Sequence, residues 1–207
     1  MLKLYITRHG ETEWNVQKRM QGWQDSSLTE KGKENATRLG KSLQNIKFDA
    51  VYASTSPRAV DTAKLITGEQ NVTIVTNDQL REIHMGEWEG KTHEEIKQMY
   101  PEQHHHFWGD TERYEPIGGE TFDELMQRVI SMFNMIVSKH ESGNVLIVTH
   151  TVFLKGLLLL VKGKAITNMW DPPFLHGTSL TVLEVDGDQY HIHLEGDTSH
   201  FSEEANV

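Results

Sequence analysis

Apolar positions recur along this chain in two rhythms. Over Leu2–Thr7, Leu2, Leu4 and Ile6 alternate with Lys3, Tyr5 and Thr7, a period of two that predicts a strand bounded by Gly10. Asp49–Ser54 reads as a short strand, Val72–Val75 is another apolar β-branched run, and Val145–Val148 is continuously apolar, as in a strand buried on both faces. Between these runs the period lengthens. Thr29–Asn45 reads as a helix with Thr29 as N-cap and Ala36, Leu39 and Leu43 on one face. Another helix follows Ser56-Pro57 through Val60, Ala63, Leu65 and Ile66. Thr92–Tyr100 opens on a capping box, Thr92 with Glu95, and is expected to end at Pro101. Thr121–His140 repeats the device with Thr121 and Glu124, and Phe122, Leu125, Val129, Met132, Phe133 and Ile136 keep helical spacing. Phe153–Val161 reads as a helix. Ser179–Val185 and Gln189–Leu194 flank an Asp186-Gly187 turn and read as a hairpin.

Alternation of strands and helices predicts an α/β fold: three layers, α/β/α, around a mostly parallel central sheet. Residues 86–120 fit that alternation less well. They contain two Trp, three consecutive His and Gly118-Gly119, and are expected to form a small cap insertion on one domain spanning 1–207.

Composition narrows the function. The chain of 207 residues has 20 Lys plus Arg against 30 Asp plus Glu, a formal charge of −10. So acidic a surface disfavours nucleic acid, whose binding needs basic surface to displace counterions. The twelve His make that charge sensitive to mild acid, and the absence of Cys removes disulfides, thiolate nucleophiles and Cys-ligated zinc. The amino terminus lacks a signal peptide's long apolar region, and Leu154–Val161 is too short to span a bilayer. A soluble cytoplasmic protein with no membrane partner is expected; oligomeric state is not readable.

Three candidate strands end in related residues. Leu2–Thr7 runs into Arg8-His9-Gly10, Val145–Val148 into Thr149-His150, and Asp49–Ser54 into Thr55-Ser56-Pro57-Arg58. Ligands in open α/β sheets bind beyond the carboxyl ends of strands, so two His and two Arg would meet around one crevice. A lone His after a strand is ordinarily structural, but this grouping points to an anion site, for which Arg supplies fixed planar donors. Other polar residues read more plainly. Glu11 and Glu13 serve a helix start or solvent, and Trp14 and Trp23 read as packing. His104-His105-His106 lack the spacing that puts two His on one helical face. Phe107 and Trp108 fit either an apolar pocket wall or the core. Glu82, taken alone, reads as a surface carboxylate.

The segment Arg8-His9-Gly10-Glu11-Thr12-Glu13-Trp14-Asn15 resembles the signature of the histidine phosphatase superfamily, also called phosphoglycerate mutase-like. The likeness continues through Gln21-Gly22-Trp23-Gln24-Asp25, Leu28-Thr29-Glu30-Lys31-Gly32, Ser54-Thr55-Ser56-Pro57-Arg58-Ala59, Leu80-Arg81-Glu82-Ile83 and Gly86-Glu87-Trp88-Glu89-Gly90, to Val148-Thr149-His150. It is nearest to the broad-specificity phosphatase branch, which Pro172-Pro173 and Gly177-Thr178-Ser179 also resemble. The resemblance implies a phosphomonoesterase of the histidine acid phosphatase type. It implies His9 as nucleophile, Glu82 as proton donor and then base, and Arg8, Arg58 and His150 around the phosphoryl oxygens. Asn15, Gln21, Gly22 and Thr151 join these as substrate-binding candidates. No metal and no cofactor is required. Gly10 is expected to allow unusual dihedrals and close approach, and its carbonyl to hold the His9 tautomer.

One departure is Thr151, where many relatives have Gly after the second His; it bears on pocket size rather than chemistry. Within the same fold the rivals are a cofactor-dependent phosphoglycerate mutase and a narrower phosphatase, such as one acting on α-ribazole phosphate. A mutase must retain a bisphosphate, yet the cap offers only Lys91, Lys97 and Arg113 among many acids, which favours water as acceptor. From another class, a catalytically inactive phosphate-binding protein is disfavoured because all five of Arg8, His9, Arg58, Glu82 and His150 are present.

Overall fold

A computed structural model describes residues 1–201. Four strands, β1 (Leu2–Arg8), β2 (Ala50–Ser54), β3 (Ile74–Asn77) and β4 (Gly143–Thr149), are mutually parallel. Strand β5 (Leu180–Asp186) runs antiparallel to β1, and β6 (Gln189–Asp197) returns antiparallel to β5. The order across the sheet is β3-β2-β4-β1-β5-β6. The helices are α1 (Glu13–Val16), α2 (Glu30–Ser42), α3 (Pro57–Thr67), α4 (His93–Met99), α5 (Pro101–Gly109), α6 (Phe122–Lys139) and α7 (Thr151–Lys162).

The two-residue period of the strands divides the core. Leu2, Leu4 and Ile6 of β1 share one apolar cluster with Leu125 and Val129 of α6 and Leu154 and Leu157 of α7. Tyr5, with Leu146 and Val148 of β4, faces the other way, onto Ala36 and Leu39 of α2 and Ala63 and Ile66 of α3. The expected three layers follow, with both faces of β1, β2 and β4 dry and the edge strand β3 partly exposed.

Caps set the helix starts. The Thr92–Glu95 and Thr121–Glu124 boxes form, and the Thr29 hydroxyl accepts from the Gly32 N–H at 2.9 Å. Three helix boundaries differ from the sequence reading, and β3 lies at Ile74–Asn77 rather than Val72–Val75. Helix α2 stops at Ser42 rather than Asn45, and α7 begins at Thr151, directly after His150. Pro101 does not end helical structure: it occupies the first turn of α5, where its missing N–H has no intrahelical acceptor to lose. Tyr100, at φ −136° and ψ 57°, closes α4 and opens α5. Residues 86–120 therefore carry two short helices. Trp88, Phe107 and Tyr114 pack mutually at ring-centroid distances of 5.0–5.5 Å and join the α6–α7 cluster. Among the described residues no helix is long and apolar enough to cross a membrane.

Candidate active site

Parallel pairing sets Arg8 of β1 opposite Thr149 of β4, and Ala53 of β2 opposite Val148. The three strands thus end together, and the residues that follow them meet. His9 and His150 lie with ring centroids 5.1 Å apart.

His9 is buried, and its Nδ1 lies 2.8 Å from the Gly10 carbonyl. A carbonyl only accepts, so Nδ1 carries the proton and Nε2 keeps its lone pair. Burial, then the charges of Arg58 and Arg8, hold the His9 pKa well below the ordinary imidazole value. Gly10 is needed for close approach and not for an unusual dihedral. A Cβ there would lie 2.8 Å from the Gly32 carbonyl oxygen, and the first turn of α2 packs against the motif at that point.

Arg58, on the first turn of α3, is the hub of the 22–25 loop. Its Nη1 donates to the Gln24 carbonyl at 2.7 Å and to Asp25 at 2.8 Å, and its Nη2 to the Gly22 carbonyl at 2.9 Å. Nη2 also faces Nδ1 of His150 at 3.2 Å. Guanidinium only donates, so His150 Nδ1 accepts and its Nε2–H donates to the Ser54 hydroxyl at 2.8 Å. Burial first, then Arg58, His9 and Arg8, keep His150 neutral by lowering its pKa well below the usual value. Arg8 donates from Nη1 to the Leu175 carbonyl at 3.1 Å. The Nε–H groups of both Arg8 and Arg58 are buried without a partner. Two guanidinium groups lining one cavity with a free imidazole nitrogen are what an anion site presents.

Glu82 is buried in a segment without regular structure, and its carboxylate sits on the start of α7. Oε1 accepts from the N–H groups of Ile83 and Val152 at 3.0 Å and of Phe153 at 3.3 Å; Oε2 accepts only from Val152, at 3.2 Å. Burial raises its pKa, against the pull of the Ile83 and Val152 N–H groups and of Arg58 and Arg8. Oε2 is the less occupied oxygen and the one free to hold a proton.

A cavity of about 450 Å³ joins these groups. Arg8, His9, Arg58, Glu82, Asn15, Gln21, Gly22 and Thr151 all line it. His150 lies behind this lining, in contact through Arg58. The Asn15 carbonyl oxygen caps α1 by accepting from Thr12, and the Gln21 carbonyl oxygen accepts from Ser26, so each has its amide NH₂ left to offer a ligand. Thr151 is the first residue of α7, where an N–H has no intrahelical acceptor. The opposite wall is apolar: Met20, Met85, Phe107, Trp108, Trp170 and Phe174. Phe107 is wall and core at once, being fully buried.

The sequence reading missed Trp170, the Pro172–Leu175 strap, Lys155 and Arg19, which also line the cavity. Trp170 and the strap come from beyond α7 and carry no spacing signal; only the Pro172-Pro173 resemblance touched them. Trp23, read as packing, stacks on His84 at 4.5 Å and donates its indole N–H to the Glu82 carbonyl at 2.9 Å. His104–His106 lie on α5 with only His106 buried, and no group of three potential metal ligands occurs among the described residues.

Comparison with known proteins agrees with this geometry. The model for the histidine phosphatase superfamily (branch 1) matches residues 4–198. The solved structure of Bacillus stearothermophilus YhfR is 50% identical with a TM-score of 0.94, covering 97% of this chain and 99% of that one. Phosphoserine phosphatase 1 of Hydrogenobacter thermophilus is 31% identical over 82% of this chain and 81% of its own length. Phosphoglycerate mutase-like protein 4 of Arabidopsis thaliana is 31% identical over 97% and 87%. By its fold, its motif residues and the extent of these matches, the chain belongs to the histidine phosphatase superfamily, branch 1.

Proposed function

We propose that this protein hydrolyses phosphomonoesters, with broad specificity, through a phosphohistidine on His9. The observation that carries the reading is the pair of guanidinium groups, Arg8 and Arg58, that line one cavity with His9, whose Nε2 is free. Phosphoryl transfer needs positioning and charge stabilisation above all, and a buried cationic cradle supplies both. His9 Nε2 forms a bond to phosphorus as the ester P–O bond breaks. The departing oxygen takes its proton from Glu82. Water then attacks the phosphohistidine and gives a proton to Glu82; the P–N bond breaks and inorganic phosphate leaves.

Water is favoured over a second phosphoryl acceptor because the far wall is apolar. The cations that do reach the cavity are already engaged. Lys155 donates to the carbonyls of Asp171 and Pro173, and Arg19 to the Gly90 carbonyl at 2.6 Å. A mutase holding a bisphosphate would need these charges free. The aromatic wall suits monoesters with an apolar organic group, as against polyanions, and the acidic exterior acts the same way.

Incubation with 4-nitrophenyl phosphate should release 4-nitrophenol. Quenching in alkaline detergent should trap a base-stable, acid-labile phosphate on the wild type and none on His9→Ala, which should not turn over. Equal labelling of the two proteins would refute the assignment.

A further inference from the structure

The segment that carries Glu82 has no helix or strand of its own to hold it, so its backbone groups need partners from elsewhere. Three carbonyls in and beside it are held by one side chain, Arg128, on α6. Its Nη1 donates to the Gln79 and Arg81 carbonyls, both at 2.7 Å, and its Nη2 to the Glu82 carbonyl at 3.2 Å. Glu120 takes the remaining two donors, Nε at 2.8 Å and Nη2 at 2.7 Å. All five guanidinium N–H groups are thereby used. Glu120 also reaches the segment itself: its carboxylate accepts from the His84 N–H at 3.1 Å, and its own N–H donates to the His84 carbonyl at 2.8 Å. From the other side Trp23 donates to the same Glu82 carbonyl, with the Arg81 guanidinium over its ring at 4.7 Å. Arg128 further lies against the Phe153 ring, at 5.8 Å, and the Phe153 N–H is one of those that hold the Glu82 carboxylate. The clamp thus joins the backbone of Glu82 to the helix end on which its carboxylate sits.

We propose that Arg128, braced by Glu120 and opposed by Trp23, is a positioning residue that sets the Glu82 carboxylate for both of its proton transfers. The inference rests on the reading of Glu82 as proton donor and base. Neither Arg128 nor Glu120 lines the cavity, so neither touches substrate. A planar fork can fix three carbonyls and a carboxylate in one arrangement; an ammonium group cannot.

The test compares Arg128→Met, Arg128→Lys and Glu120→Gln with wild type and with Glu82→Gln. The readouts are kcat/KM for glycerol 1-phosphate and for 4-nitrophenyl phosphate, and the fraction of enzyme trapped as phosphohistidine during turnover of the latter. Displacement of a reacting group by about 1 Å costs up to roughly 10²-fold, so kcat/KM on the alkyl ester should fall about 10- to 10²-fold in Arg128→Met. On the aryl ester, whose leaving group needs little protonation, kcat/KM should hold while phosphohistidine accumulates. Glu120→Gln and Arg128→Lys should show the same alkyl-selective loss in smaller measure. The ratio of the two kcat/KM values does not depend on the folded fraction, so partial unfolding cannot imitate the result, and Arg128→Lys serves if Arg128→Met does not fold. Equal losses on both esters, or none, would overturn the clamp. If Glu82→Gln shows alkyl-selective loss and the Arg128 variants do not, only the clamp falls. If Glu82→Gln itself lacks that signature, the reading of Glu82 fails first.

Discussion

Glu82 is held between opposing influences. Burial favours its protonated form, and the N–H groups at the start of α7, with the two arginines, favour the ionised one. The first outweighs the second, and the carboxyl stays above its ordinary range. The His9 imidazole, lowered by burial and the same arginines, stays unprotonated through mild acid. In the proposed reaction, attack would therefore find nucleophile and acid in the required states on the acid side of neutrality. With rising pH Glu82 loses its proton, and the first step of the proposed reaction would lose its acid. The second ionisation of the substrate phosphate also moves the profile, but it does so equally in a Glu82→Gln variant. The ratio of wild-type to Glu82→Gln kcat/KM on an alkyl phosphate should reach about 10²–10⁴ in mild acid and decline as pH rises through the raised Glu82 pKa. A ratio flat with pH would remove Glu82 from the role. At this scale much of the site was legible, because His9, Arg58 and His150 follow strands whose pattern is local. Ser54, Glu120 and Arg128 were not. Their partners lie 96, 36 and 46 positions away along the chain, and no spacing rule reaches so far.

Elements with a clear period and a cap were readable; α6 is the best case, with its box at Thr121 and its six buried apolar positions. Helix α5 was not, because Pro101 serves equally as the end of one helix and the first turn of the next. The choice is made by tertiary contacts. Phe107 is buried among Trp88, Tyr114, Phe122 and Trp170, and the Trp170 indole N–H donates to the Phe107 carbonyl at 2.6 Å. That anchoring puts Trp108, still 39% exposed, on the cavity wall. Trp108 is thus fixed by its neighbours and uncovered on the side where a leaving group would lie. Covering it with an aromatic group contributes about 1–2 kcal/mol. Trp108→Ala should raise KM for 1-naphthyl phosphate by roughly 5- to 30-fold, with little change in kcat and little change in KM for glycerol 1-phosphate. A common KM increase for both esters would mean that the residue shapes the phosphate end instead of the apolar wall.

For the whole molecule, a chain of net charge −10 concentrates two guanidinium groups at one cavity. The two are not equally supported. Arg58 is paired with Asp25 and with two carbonyls, so it also holds the 22–25 loop. Arg8 has one carbonyl partner and a buried Nε–H with none. An unpaired buried donor costs stability until an anion arrives. Inorganic phosphate should therefore raise the unfolding temperature: at 100 times Kd the gain is about 2.7 kcal/mol, equivalent to roughly 5–10 °C in a chain of this size. Arg8→Met should keep or raise the unfolding temperature of the free protein and lose most of the phosphate shift, because it removes a charge to which the empty fold offers only the Leu175 carbonyl. Arg58→Met should lose the shift as well, but should also unfold earlier, by about 2–4 kcal/mol, since it strands Asp25 and the Gly22 and Gln24 carbonyls. Calorimetry of the three proteins with and without phosphate separates the cases. A full phosphate shift in Arg8→Met would contradict the placement of the anion between the two arginines. Equal destabilisation by the two substitutions would contradict the division of labour in which Arg58 serves fold and site together and Arg8 serves the site alone.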